Sequence, residues 1–584
     1  MTTQVRKLKL SSPLFFWLSL LTVIAITVGN AVVIGPVLHD NLAILDNDTV
    51  MRLVMIRDWL AGQDWFDTRA YRLVPPDGVL MHWSRYIDAA IGGLIVALST
   101  FLAPDVAQTA AMVIWPTLLS VLLLGVIGFA TRHLLGAEAA CFALLCALIW
   151  PFTSDFYFLP GRIDHHNLQI LLIVVITFAI VWPARPVISG AIAGVCAALA
   201  LAIGLETLPY ILVVGALLFA RAQMAWTPHA DRLLVAFCVT LAVAAVVFWV
   251  GQTPRARWGT VVCDQLGLPV LALIGIACVA SIVPMWFFTS RSATRFAASL
   301  AVVAAGCAIA WPLLGPCLSG PYGSLPVEVQ EIISGSIVEA KPALVYAQSN
   351  VFNYLKMAVP VFGALLVGAV FWRRMDRGAV DTRQRADLIG QLLILAIVGI
   401  LASFSQIRLL LMTAAAVPVL VGFVLAVLLQ RYLQSRDAGQ AVLLLVMSVL
   451  LIQPGLVEGP IKAVLPNPPP ATGSADANCR DDTALAALNA IPPGVFLTPT
   501  NLGPALILNS HHSSLSGPYH RSPAAFANGV VPYQLEAEAL RAYLQEAGAT
   551  HLLVCADGTS DAGFARDLGK GASVEWATPV TVDA

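Results

Sequence analysis

Asp46 and Asp48 stand two residues apart in LHDNLAILDNDTVMRL, just beyond a long apolar run. One aspartate suffices to cap a helix N-terminus. A second within two residues reads as a pair of carboxylates for a hard divalent cation. Asp164 and His166 are again two apart, in FLPGRIDHHNLQ, and offer one oxygen and one nitrogen ligand; histidine also caps and packs. Glu339 ends Ser336-Ile337-Val338-Glu339, on a stretch otherwise short of charge. Arg408, in FSQIRLLLM, sits where an arginine snorkels to the membrane interface or holds phosphate oxygens with its planar fork. Far downstream, HHSSLSGPYHR gathers His511, His512, His520 and Arg521, either as a plain polar loop or as a contact for a donor or acceptor headgroup.

The elements that must position these groups are membrane helices. Of 584 residues, 58% are hydrophobic and 11% charged, with mean hydropathy +0.81. A soluble domain carries roughly a quarter charged residues. Apolar runs of about 20 residues recur, each long enough to cross the hydrocarbon core. The net charge of −1 excludes a basic nucleic-acid binder. Arg6, Lys7 and Lys9 precede the first run, which exceeds the ~7–15-residue core of a signal peptide and reads as a first span with its N-terminus inside.

About thirteen spans are expected, near 13–35, 107–131, 138–153, 167–183, 187–204, 208–221, 232–250, 267–289, 297–314, 358–372, 386–404, 408–430 and 440–454. Basic connections mark the cytoplasmic side: Arg132, Arg185 and above all the run from Arg373 to Arg385. Residues 36–106, 154–166, 251–266 and 315–357, the turn at Glu206 and everything after Gln453 then face outward. The apolar stretch 89–104 is short for a crossing and belongs to the membrane surface. The expected fold is mainly α, a polytopic helical bundle over 1–454 with a small extracytoplasmic α/β domain over 455–584. In that domain GVFLTPT, ALILNS and HLLVC read as buried strands, and DDTALAALNAI and QLEAEALRAYLQEAG as helices. Cys479 and Cys555 share the exported tail, and Cys263 and Cys317 lie on outward loops; either pair is placed to form a disulfide.

Laid out in this order, the residues resemble those of the catalytic subunit of oligosaccharyltransferase, a class C (GT-C) membrane glycosyltransferase. Asp46 with Arg52 six residues later resembles the family's D-P-x-F-x-x-R segment, with Asn47 in place of proline. QDWFDTRAYRL (63–73) is similar to its W-F-D segment, Asp164-His165-His166 to its D-x-H pair, Ser336-Ile337-Val338-Glu339 to its T-I-x-E signature, and Arg408-Leu-Leu-Leu-Met to its R-L-M segment. The family's W-W-D-Y-G motif, which reads the acceptor sequon, is absent from the tail, so asparagine as acceptor does not carry over.

The resemblance implies transfer of a sugar or oligosaccharide from a polyprenyl-phosphate or -pyrophosphate donor, at the outer face of the inner membrane, to a glycan, lipid or protein acceptor. It implies Mg²⁺ or Mn²⁺ held by Asp46, Asp164, His166 and Glu339, with Asp48 as a reserve ligand or base and Arg408 on the donor phosphate. Arg52, His165, His520 and Arg521 are candidate headgroup or acceptor contacts. Two rivals stand beside it. A metal-independent envelope polysaccharide ligase or polymerase would depend on arginine and histidine rather than on clustered acids. A transporter or flippase would place its ionisable groups near the bilayer midplane.

Overall fold

The structure, a computed structural model, describes residues 13–42, 45–154, 156–181, 185–224, 229–288, 291–320, 326, 327, 329, 330, 338–378, 380–457, 479–555 and 563–580. Arg6, Lys7, Lys9, Ser336, Ile337 and the Pro-rich stretch 458–478 lie outside the described residues.

Nine helices among the described residues are long and apolar enough to cross a membrane. Ala293–Ile309 and Trp311–Cys317 form a further pair bent by 67°, with Pro312 at the start of the second piece. Three shorter apolar helices, Ala137–Ile149, His166–Val181 and Ala438–Ile452, complete the bundle. Every segment expected to span carries one of these helices, and the protein is a multi-pass membrane protein. One boundary differs. Residues Ile407–Ala415 form a buried 3₁₀ segment, and the regular helix begins only at Val417, with Pro418 in its first turn, where its missing N–H costs nothing. The apolar stretch at 89–104 falls in the 14-residue helix Arg85–Leu98, too short to cross.

Small residues let the helices approach. Pro186–Ile203 packs along Ala230–Gln252, and Gly190 and Gly194 face it one turn apart. A Cβ on Gly194 would lie 2.1 Å from Thr240 Oγ1 and 2.5 Å from the Phe237 carbonyl. This is the small-xxx-small contact of membrane helices, where packing replaces the hydrophobic drive.

Outside the bundle, the first loop supplies the helix Asn47–Leu60 and a hairpin pairing Arg69–Ala70 with Val79–Leu80. The tail forms a three-stranded parallel sheet in which Val495–Leu497 lies between Ser513–Ser514 and His551–Leu552. ALILNS is not a strand but part of the helix Gly503–Asn509. Parallel neighbours need a crossover, and this helix supplies it between Val495–Leu497 and Ser513–Ser514. The first loop adds to the same sheet: Val74 N–H donates to the Ser514 carbonyl at 2.7 Å, and Ser514 N–H to the Arg72 carbonyl at 2.9 Å. Both cysteine pairs, Cys263–Cys317 and Cys479–Cys555, are disulfide-bonded, whereas the six free cysteines lie on helices of the bundle.

Gly194→Leu is expected to push two spans apart and cost about 1–3 kcal/mol, seen as a lower melting temperature of the detergent-purified protein. Gly125→Ala, where a Cβ meets nothing within 4 Å, is expected to leave it unchanged.

Candidate functional site

Three connecting segments bring their acids to one end of the bundle. Asp46 caps the helix Asn47–Leu60: its Oδ1 accepts from the N–H groups of Asp48 and Thr49 at 3.1 and 3.0 Å, and its Oδ2 from the Thr49 hydroxyl at 2.9 Å. The second loop is pinned by Asp164, whose Oδ1 accepts from the His166 N–H at 3.1 Å just as the helix His166–Val181 begins. Between the two aspartates lies Arg162, its Nε 3.0 Å from Asp164 Oδ2 and 3.4 Å from Asp46 Oδ2. The guanidinium also stacks on Tyr157, 5.3 Å from the ring centre. From the third segment, Glu339 Oε1 stands 3.8 Å from Arg408 Nη1, and a backbone bond from the Ile407 N–H to the Lys341 carbonyl ties their two segments together.

The electrostatics mark the cluster as overcharged. Burial, then the charges of Asp46 and Glu339, push the Asp48 carboxyl up to about 7, with Asp164 adding and His165 opposing. Burial likewise raises Glu339, against the pull of Arg408 and Arg162, with Asp164 and Asp46 adding to the rise. Burial disfavours charge on Arg162, but Asp164 and Asp46 outweigh it and hold the guanidinium protonated. Close carboxylates raise one another in this way and a cation relieves them.

A divalent cation would relieve the same surplus. The donor set of three carboxylates and one imidazole suits such an ion, and His166 Nδ1 is buried with no hydrogen-bond partner. No three of Asp46, Asp164, His166 and Glu339 bring ligand atoms within 4.8 Å of one another. The gap between the two aspartates is bridged by Arg162, a monovalent stand-in for the ion. The residues fit the ion in charge and chemistry, and closing on it requires Arg162 to withdraw.

The other sequence candidates fall elsewhere. Arg52 is buried, bonded to Asp88 at 2.9 Å and stacked over Trp83; Asp88 also holds Arg85 at 3.2 Å. It braces the first loop, where a headgroup does not reach it. His165 lies beside the cluster, its Nε2 3.4 Å from Glu206 Oε1 and its Nδ1 buried without a partner. His512 is buried in the tail, its Nε2 donating to the Leu488 carbonyl at 2.8 Å and its Nδ1 accepting from Gly494 N–H at 3.1 Å. His511 binds the Ile491 carbonyl. His520 and Arg521 both bind Asp264.

Three participants escaped the sequence reading. Arg162 stood inside the GRIDHH stretch, two residues before a candidate ligand, and a cation so close to an acid pair is a signal. Glu206 is the lone acid of a short turn between two apolar helices; its Oε2 accepts from Gln169 Nε2 at 3.2 Å. Tyr519 donates its hydroxyl to the Asn47 carbonyl at 3.0 Å and brings the tail to the back of the acid pair, which no local pattern announces. Arg162→Ala is expected to lower the Mn²⁺ concentration at half-binding about tenfold or more, one charge-assisted contact's worth, read by titration of the free ion's paramagnetic resonance signal.

No family model matches the chain, and no curated protein matches it in sequence. Solved structures do. The oligosaccharyltransferase AglB of Archaeoglobus fulgidus, in complex with an inhibitory peptide and a dolichol-phosphate, superposes with TM-score 0.61 at 13% identity, over 96% of this chain and 75% of that one. Its apo form gives 0.64 at 14% identity over 92% and 70%. A complex of the same protein with Zn and sulfate gives 0.54 at 14% identity over 86% and 62%. At these identities the likeness is one of fold: this chain is a multi-pass membrane protein built as the archaeal oligosaccharyltransferase is, with the GT-C fold.

Proposed function

We propose that the chain is a membrane glycosyltransferase that moves a sugar or oligosaccharide from a polyprenyl-phosphate or -pyrophosphate donor to an acceptor on the extracytoplasmic face. The observation that supports this reading is that Arg162 joins Asp46 to Asp164 at one end of the bundle, while Glu339, paired with Arg408, lies near enough to feel both aspartates. The dolichol-phosphate in the archaeal relative supports a polyprenyl donor, whose tail stays in the bilayer while its sugar reaches the mouth. Both disulfides belong to loops and tail on this side, which supports an oxidising, outward compartment.

In this reading Asp46, Asp164, His166 and Glu339 hold Mg²⁺ or Mn²⁺, which when bound supplies a fixed positive charge beside the acceptor nucleophile. Asp48, buried against the acids, stands where it can take the nucleophile's proton. Arg408, steadied by Gln406 Oε1 at 2.9 Å from its Nε, lies beside Glu339 and neutralises the departing phosphate. Tyr519 holds the Asn47 carbonyl and keeps the acid pair facing inward.

One observation favours a second reading. Arg162 already neutralises Asp46 and Asp164, as it would in a metal-independent ligase. Chelation separates the two, because only the first loses turnover in EDTA and regains it with Mn²⁺.

Asp46→Asn keeps the capping oxygen and removes the charge. It is expected to lower turnover about 10²–10³-fold, the scale of losing one preorganised electrostatic contact, with the melting temperature unchanged. In cells it should accumulate a lipid-linked sugar, which names the donor. A strain with wild-type lipid-linked and envelope glycans would sink the proposal.

A further inference from the structure

A second cluster lies where the exported tail meets two outward loops, separate from the acid pair. His82 follows the hairpin of the first loop, Asp264 adjoins the Cys263–Cys317 disulfide, and His520 comes from the tail. One ligand atom from each lies within 4.8 Å of the other two, and among the described residues no other three histidine, cysteine or acidic side chains meet that condition.

The pairwise contacts account for only part of the group. His520 Nε2 is 2.9 Å from Asp264 Oδ2. Arg521 grips the same carboxylate from both sides, Nε to Oδ2 and Nη2 to Oδ1 at 2.7 Å each, and also reaches Gln265 Oε1 at 2.9 Å. His82 adds nothing to that ion pair. Its ring packs 4.5 Å from the His520 ring, centre to centre, and neither ring nitrogen makes a hydrogen bond among the described residues. Two imidazolium rings would repel at this distance, whereas two ligands of one cation would not. A cavity of about 20 Å³, lined by His82, Thr68, Arg85, Gln252, Thr253 and Arg257, adjoins the imidazole with room for one water.

We propose that His82, Asp264 and His520 form a second cation site, for a borderline transition ion of the Zn²⁺ class, that clasps the exported domain to the first and the 251–266 loops. Two neutral imidazoles and one carboxylate make a three-ligand set with a position left for water, and nitrogen-rich sites favour Zn²⁺ over Mg²⁺. The His520 to Asp264 separation matches two ligands of one ion, whose bonds of about 2.0–2.2 Å put adjacent ligand atoms roughly 3 Å apart. Each carboxylate oxygen keeps a second lone pair, so Arg521 remains as the outer partner that fixes the plane of Asp264, as such partners do at metal sites.

Cobalt(II) tests this on the full chain in detergent after chelation, since it reports four-coordinate binding by its visible bands. Wild-type protein and Asp164→Asn should both develop the bands, saturating at one equivalent. His82→Ala should bind Co²⁺ at least ~10-fold more weakly. His82→Cys should restore binding and add a thiolate-to-cobalt band in the near ultraviolet, which settles the matter even if the alanine variant folds poorly. Absence of visible bands in the wild type would overturn the proposal. So would bands that persist unchanged in both His82 variants, or that vanish in Asp164→Asn while surviving in His82→Ala.

Discussion

Like charges crowded at the edge of a low-dielectric bundle must be neutralised, and one end of this protein is arranged around that need. The Asp46–Asp48 pair, Asp164 and Glu339 come from three segments far apart in sequence, and carboxylates brought so close repel one another unless compensated. Arg162 and Arg408 supply the compensation seen in the structure. The loops around them follow from this: Asp46 has to begin a helix, Asp164 has to end a loop at a helix start, and the 3₁₀ segment at Ile407–Ala415 has to deliver Arg408 beside Glu339. Surplus negative charge held by a single bridging guanidinium is what the proposed divalent ion would relieve.

A separate arginine network solves a different problem. Arg52 and Arg85 share Asp88 in the interior of the first loop, with Arg85 also reaching Gln63 and the Asp67 carbonyl. Losing Asp88 would strand two buried cations, a cost of about 3–5 kcal/mol for a broken buried pair. The network gives the loop a polar core of its own, so the helix Asn47–Leu60 is held firmly enough to present Asp46. Arg52 thus serves the site at a distance and touches nothing in it.

The helical bundle was legible in the sequence because hydropathy in lipid is nearly a direct readout of spanning segments. The acids were legible for the same reason: in a chain this poor in charge, pairs at loop mouths stand out. What failed was what depends on tertiary contacts. ALILNS has a strand's composition, yet parallel pairing on either side of it demands a crossover helix, and the Gly503-Pro504 start meets that demand. Arg408 was read as the start of a span, but the chain spends nine residues in a 3₁₀ segment before Pro418 begins the helix. The partnership of Asp264 with His520 and Arg521 joins residues more than 250 positions apart, beyond the reach of any local pattern.

The strand contact between Val74 and Ser514 also carries a timetable. Residues 72–74 emerge from the ribosome some 440 residues before their sheet partner Ser514, and contacts of such long range close slowly. The edge of the first loop therefore stays unpaired until the segment around Ser514 has been made and folds against it. Only then does Tyr519 reach Asn47. The wall behind the acids thus closes after the bundle is made, and a chain stalled before its tail is released would have its bundle in place and its site still open at the back.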